Sequence, residues 1–368
     1  MPSARARSGR TSKSAAGAPR RCSASSGARR PTIKRMRNSP PWRRKCLLPG
    51  TPSSGFDGRV PLQRGLTMKR LLVLAAAASA LSQAPTPSVK SIIVTVRADG
   101  TDERIVGSFD GRYEAPNWSR GGDYLLINSG GKLWKLPVAG GTPAQVDTGS
   151  VRGINNDHGI SPDGRSIVIS ARQMYILPEA GGTPRQLTAN EPSYFHGWSP
   201  DGRRLAYCAP RDKNFDLYDI AVDGGAERRL TSHAGYDDGP DYSPDGRWIY
   251  FNSDRSGSWD VWRIPPDGAG AGDARAERIT ADEYEDWFPH PSPDGKWIVF
   301  LSFAKGTQGH PPDQNIMLRR IPVVDGRPDA ARVEVIARML GGQGTINVNS
   351  WAPDSSRFAF IRYKKDGG

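Results

Sequence analysis

Short apolar runs with polar flanks recur along the chain from about residue 90. Examples are "SIVIS" (166–170), "RLAYC" (204–208), "WIYFN" (248–252) and "WIVFL" (297–301). They are rich in β-branched and aromatic residues and too short for helices, so they read as strands. Ser-Pro-Asp-Gly precedes each at or close to its start, and related turns begin at Ser119 and Ala352. Proline presets φ at the second turn position, aspartate bonds nearby backbone, and glycine accepts a left-handed conformation. The motif is therefore a tight hairpin between a strand A and a strand B.

More strands follow inside each period. "QMYILP", "DLYDIAV" and "DVWRIPP" supply strand C, and "RQLTA", "RRLTS" and "ERITA" supply strand D after a second turn. The turn positions 119, 161, 199, 243, 292 and 352 are spaced by 38 to 60 residues. Four short strands at a period near forty are the mark of a propeller blade. At the ends, 90–107 looks like C and D without A and B, while 346–363 looks like A and B without C and D. Joined, they complete a blade and close the ring, which removes its open edges. The expectation is an all-β, six-bladed β-propeller over 90–364 with four-stranded antiparallel blades.

Charge changes the picture only outside that region. The whole chain carries +13, but 16 of its 51 Lys and Arg and one of its 38 acids lie in 1–67. The remaining 301 residues hold 35 basic and 37 acidic side chains, so the body is not basic and no nucleic-acid partner is expected. The Arg-, Ser- and Gly-rich segment 1–67 reads as a disordered leader and, because a signal should lie at an N-terminus, as a gene-start error before Met68. "MKRLLVLAAAASALS" (68–82) has the positive start, short apolar run and small-residue end of a secretory signal peptide. Residues 83–89 form a linker, and no membrane span is expected in the mature chain. Cys22 and Cys46 fall in the leader, leaving Cys208 alone in an apolar strand run, where it reads as a buried packing residue.

Strand direction alternates within a blade, so residues just before each turn motif, at the start of strand A, gather at one mouth of the central channel. That ring contains His158, His196 and His290, with Asn117, Asp157, Tyr194, Asp237, Asp238, Asp241, Glu285, Asp286 and Asn349. His310, in the insertion "FAKGTQGHPPDQ", overhangs the same mouth. Histidine serves as acid, base or metal ligand, and neighbouring acids orient or ionise it. His158, His196, Asp237 and Asp238 are thus the candidate catalytic groups. His158, His196 and His290 are the candidate ligands of a divalent metal (Mn, Ca or Zn), and the other polar residues line a ligand site. Arg172, Arg211, Arg255 and Lys305 recur near the top of strand B; Arg211 and Arg255 are candidate anion partners, although pairing between blades explains the pattern as well.

The Ser-Pro-Asp-Gly turns, the stretch "DLYDIAVDGGAERRLT" and the signal resemble the propeller of TolB-type periplasmic proteins, known as PD40 or WD40-like repeats. The resemblance covers about residues 90–364. It implies a secreted or periplasmic monomer that binds an envelope protein or a glycan at its polar mouth. TolB proteins carry a separate N-terminal domain that nothing in this sequence supplies. "YFHGWSPDG" and "FPHPSPDG" also look like the axial site of oligogalacturonate lyases, which have seven blades. That weaker likeness implies a metal-dependent lyase or hydrolase of uronate polymers, with His158 or His196 as base or ligand, His290 as ligand, and Arg211 or Arg255 on the uronate carboxylate.

Overall fold

A computed structural model describes residues 89–365. The expected leader and signal, and all but the last residue of the linker, lie outside the described residues. Six antiparallel sheets follow one another in chain order. Blades 1 to 4 have four strands each and begin with Glu114–Trp118, His158–Ile160, Tyr194–Trp198 and Asp237–Tyr242. Blade 5 begins with Glu285–Pro291; Glu334–Gly341 is its outer strand, and a small hairpin strand, Arg327–Pro328, makes a fifth. The remaining elements among the described residues are strands and two short 3-10 turns.

Blade 6 closes the ring as its ends imply. Val89–Arg97 pairs in nine registered positions with Arg357–Lys365, and Arg104–Asp110 adds the outer strand. Its inner strand shrinks to one bridge between Trp351 and Phe358, so it is the least regular of the six.

The turn motif works as its chemistry requires. Ser199 Oγ donates to Asp201 Oδ1 at 2.6 Å and accepts from Arg204 N at 2.8 Å, while Gly202 N donates back to Ser199 O. Gly202 has φ 71°, a left-handed value that glycine adopts without strain. The same serine–aspartate pair recurs at Ser161, Ser243 and Ser292.

The core lies between faces of adjacent blades. Trp259 and Trp287, with ring centres 3.9 Å apart, pack with Trp351, Phe358 and Phe360 to join blades 4, 5 and 6. Ile93 and Val106 of blade 6 pack on Trp118, Leu125 and Leu136 of blade 1. The blade formed by joining the two segments is therefore packed by apolar residues on both faces, and this burial drives closure.

Candidate functional site

Inner strands set where polar groups point. In blades 1, 3, 4 and 5 the pairing of strand A with strand B slips just before the turn motif. Such a bulge leaves residues unpaired and re-aims their side chains. In blades 1, 4 and 5 the bulge is a left-handed residue followed by proline: Ala115-Pro116, Gly239-Pro240 and Phe288-Pro289, with φ of 54°, 63° and 55°. The next residue in each is polar: Asn117, Asp241 and His290. Blade 3 lacks the proline, and its unpaired residue is His196 itself. His158 and His196 thus stand three residues before the turn serine and His290 two before it.

The residues of the single expected ring border two cavities. One, of about 220 Å³, lies beside the turn prolines and is lined by Asn117, His158, His196, Asp241 and Asn349 among others. The other, of about 210 Å³, lies where strands A begin and is lined by Asp157, Tyr194, His196, Cys208, Phe215, Tyr236, Asp238, Phe288, His310, Gln343 and Asn347. His196 borders both.

At the second cavity Asp238 is the hub. Its Oδ1 accepts from Gly239 N at 2.7 Å and from Cys208 Sγ at 2.7 Å, and lies 3.1 Å from His196 Nε2. Its Oδ2 accepts from Tyr236 Oη at 3.3 Å and lies 3.7 Å from His310 Nε2. Burial works to raise the Asp238 carboxyl, but the His196 hydrogen bond and charge prevail and hold it at about 2. Burial likewise works against the His196 charge; Asp238 and Asp157 overcome it and raise that imidazole to about 9. Burial pushes Asp157 up to about 6, moderated by His196. Cys208 is pushed well above the usual thiol range by burial and by Asp238. The pair His196–Asp238 is a buried ion pair at neutral pH, surrounded by aromatic rings.

Those rings form a wall. Tyr194 stacks with Phe215 at 6.3 Å, and Phe215 with Tyr236 at 4.4 Å between ring centres. His310 sits edge-on to Trp287 and Phe288 at 4.5 and 5.1 Å, which holds the insertion against the cavity.

The other end is a lattice of inter-blade bonds. His290 Nε2 donates to Ile346 O at 2.7 Å, and its Nδ1 lies 3.0 Å from Asp241 Oδ2. Asn349 Nδ2 donates to the same Asp241 oxygen, Asn117 Nδ2 to Asn349 O, and Ile160 N to Asn117 Oδ1. His158 is fully buried; its Nε2 donates to Leu126 O at 3.3 Å, and burial lowers it to about 4.

Several expected site residues belong instead to the framework. Asp237, next to Asp238 but on the opposite face of the strand, pairs with Arg255 at 2.7 Å, and Arg255 also reaches Asp273 at 3.2 Å. Asp286 binds Arg319 at 2.6 Å and accepts from Ser302 Oγ. Arg211 is held by Glu227, Ser193 Oγ and Pro192 O, and Arg172 by Glu191. None of Asp237, Asp286, Arg211 and Arg255 lines either cavity, so these arginines are not presented to an anion there. His158, His196 and His290 do not form one donor set; among the described residues the group whose donor atoms converge is His196, Cys208 and Asp238, all within 4.8 Å.

Sequence reading missed Cys208, Phe215, Tyr236, Phe288, Gln343 and Asn347. A signal existed for Cys208, because strand B pairs it with Tyr194 at the start of strand A. Phe215 comes from strand C and Phe288 from a bulge, which the turn motif does not locate, whereas Tyr236 directly precedes strand A of blade 4.

Comparison with known proteins agrees with the fold. The TolB β-propeller domain model, PD40, matches residues 194–321. An uncharacterized protein of Agrobacterium fabrum is 47% identical over 290 residues, which is 77% of this chain and 96% of that one. The structure of a TolB candidate from Agrobacterium tumefaciens is similar at 46% identity and a TM-score of 0.70, covering 75% of this chain and 99% of that one. TolB of Acinetobacter baumannii shares the fold at 19% identity and a TM-score of 0.52, covering 69% of this chain and 64% of that one. Six blades of this pattern, ring closure through the chain ends and these likenesses establish that the chain belongs to the TolB-like (PD40) β-propeller family.

Proposed function

We propose that this propeller is a secreted or periplasmic binding protein, acting as a single chain, that takes a glycan at the aromatic-walled cavity around Asp238. The observation that carries the reading is the lining itself. Stacked Tyr194, Phe215 and Tyr236 offer flat apolar faces, while Asp157, Gln343 and Asn347 offer hydrogen-bonding groups beside them. A pyranose ring presents apolar C–H faces and a rim of hydroxyls, which is the complement of such a surface. The cavity contains two carboxylates and no lysine or arginine. It therefore favours neutral or amino sugars over uronates, whose carboxylates would meet Asp157 and Asp238 while the His196 imidazolium is already paired with Asp238. The same point weighs against a uronate lyase, because Arg211 and Arg255 are engaged elsewhere.

The secreted or periplasmic setting is inferred from the family and from the signal-like segment 68–82. Among the described residues, no helix is long and apolar enough to cross a membrane.

Titration calorimetry of the full chain against neutral, amino-sugar and uronate oligosaccharides tests the reading. Binding of neutral or amino sugars, weakened at least tenfold in Tyr236→Ala and Phe215→Ala, is expected; tenfold is about 1.4 kcal/mol. A preference for uronates, capture of an envelope protein with no sugar affinity, or binding indifferent to both variants contradicts it.

A further inference from the structure

We infer that His196, Cys208 and Asp238 constitute a zinc site on the floor of the same cavity. The site shares the cavity with the proposed glycan ligand but does not depend on a sugar binding there.

Three donor atoms of different kinds converge on one point. Cys208 Sγ is 2.7 Å from Asp238 Oδ1 and 3.9 Å from His196 Nε2, and the latter two are 3.1 Å apart. The centre of that triangle lies about 2 Å from every corner, close to the ~2.0–2.3 Å bonds zinc makes to nitrogen, oxygen and sulfur. All three residues are buried on strands or at a strand bulge, so the arrangement is held by backbone pairing rather than by a loose loop.

Tautomer and orientation agree. His196 Nδ1 faces the Asn347 carbonyl at 3.2 Å. A carbonyl only accepts, so Nδ1 carries a hydrogen and Nε2 is the atom left to ligate. Ligating histidines are oriented in this manner by an outer partner on the other ring nitrogen. A thiol–imidazole–carboxylate relay would have the opposite design, with acid and thiol on different nitrogens. Here both lie at Nε2, which suits a common ion and not proton transfer along a line.

The donor chemistry selects the metal. A thiolate with an imidazole suits zinc, whereas calcium, magnesium and manganese prefer oxygen donors throughout. On binding, the thiol of Cys208 and Nε2 of His196 give up their protons to solvent. Three protein ligands leave the fourth position facing the cavity, where His310 stands 3.7 Å from Asp238 with its Nδ1 unpartnered. A water or a ligand oxygen occupies that position in the open type of zinc site.

The test uses the full chain carrying Cys22→Ser and Cys46→Ser, so that Cys208 is its one thiol. The protein is stripped with a chelator, then titrated with Zn²⁺ alone and, separately, with Co²⁺ as a spectroscopic probe. One equivalent of metal and a cobalt–thiolate charge-transfer band are expected. In Cys208→Ser the band disappears and zinc affinity falls by more than the ~10–100-fold that loss of an outer partner costs. Asp238→Asn weakens zinc similarly, while Asp241→Asn does not. Should Cys208→Ser fail to fold, the parent spectrum decides alone, because the band requires this thiolate. Absence of uptake, uptake without the band, or affinity unchanged in Asp238→Asn overturns the inference. Sugar titration of the stripped protein gives the glycan reading its own separate outcome.

Discussion

Two histidine–aspartate pairs stand a short way apart in the channel, His196–Asp238 and His290–Asp241, and they do different work. Both are buried, with side-chain N···O distances of 3.1 and 3.0 Å. Both imidazoles also reach a backbone carbonyl of the segment before blade 6, Asn347 for one and Ile346 for the other. The difference lies in what surrounds the carboxylate. Asp241 Oδ2 is shared with Asn349, so this pair is one knot in a net that ties blades 4, 5 and 6 together. Asp238 is shared with a thiol, a phenol and a second histidine around a cavity. A polar pair in a propeller channel is thus a latch when its remaining partners are amides and backbone carbonyls, and a candidate site when they are further ionisable side chains gathered at a cavity. Residue type alone does not separate the two.

The largest expected effect comes from breaking the latch. His290→Ala leaves Asp241 and the Ile346 carbonyl short of a partner in a buried setting and opens a void. Its unfolding free energy in urea should drop by about 3–5 kcal/mol. Sugar affinity measured on folded protein at low temperature should stay within twofold. A loss of affinity with little loss of stability would reverse the roles assigned to the two pairs.

Acidification sharpens the comparison through His158, which has no carboxylate partner. Burial lowers it to about 4, against a reference near 6.5 in the unfolded chain. The folded state therefore takes up this proton later than the unfolded state. The corresponding stability is fully present above about pH 6.5 and lost as pH falls toward 4. Between pH 7 and pH 5 the loss should be about 2 kcal/mol larger in wild type than in His158→Gln. NMR titration should place the His158 imidazole midpoint near pH 4; a midpoint above 6 would contradict the buried, neutral assignment.

The smallest effect belongs to the repeated basic residue at the top of strand B. Arg172 pairs with Glu191 on the surface and is mostly exposed. Arg172→Ala should leave the thermal midpoint unchanged within error, as exposed pairs generally do. A clear fall would show that this repeat position acts through more than its local pair.

Fold and site were legible to different depths. Four copies of Ser-Pro-Asp-Gly, two degenerate ones and the complementary ends are enough to count six blades and to join 90–107 with 346–363 in one blade, where Val89–Arg97 pairs with Arg357–Lys365. Turn chemistry is local, so it survives in the sequence. The channel is not local. The contrast between "DWFPH" and "YFHGW" already carries the bulge prolines, yet their effect on facing depends on a left-handed residue that the sequence does not announce. Hence the sequence groups His196 with His158 and His290, and Asp238 with Asp237, although of these only His196 and Asp238 line the cavity where strands A begin. The acids and arginines that went to the framework, Asp237–Arg255 and Asp286–Arg319, are pairs within a blade that pattern cannot distinguish from open site groups. Cys208 was legible as buried but not as a neighbour of Asp238, because that contact joins two blades.

The claim that the cavity around Asp238 is where ligand binds, and the net around Asp241 is not, can be tested by one paired measurement. Asp238→Asn and Asp241→Asn are compared by calorimetric sugar titration under conditions where circular dichroism shows both folded. Affinity should fall at least tenfold in Asp238→Asn and stay within twofold in Asp241→Asn. Equal losses, or a loss confined to Asp241→Asn, would contradict the account.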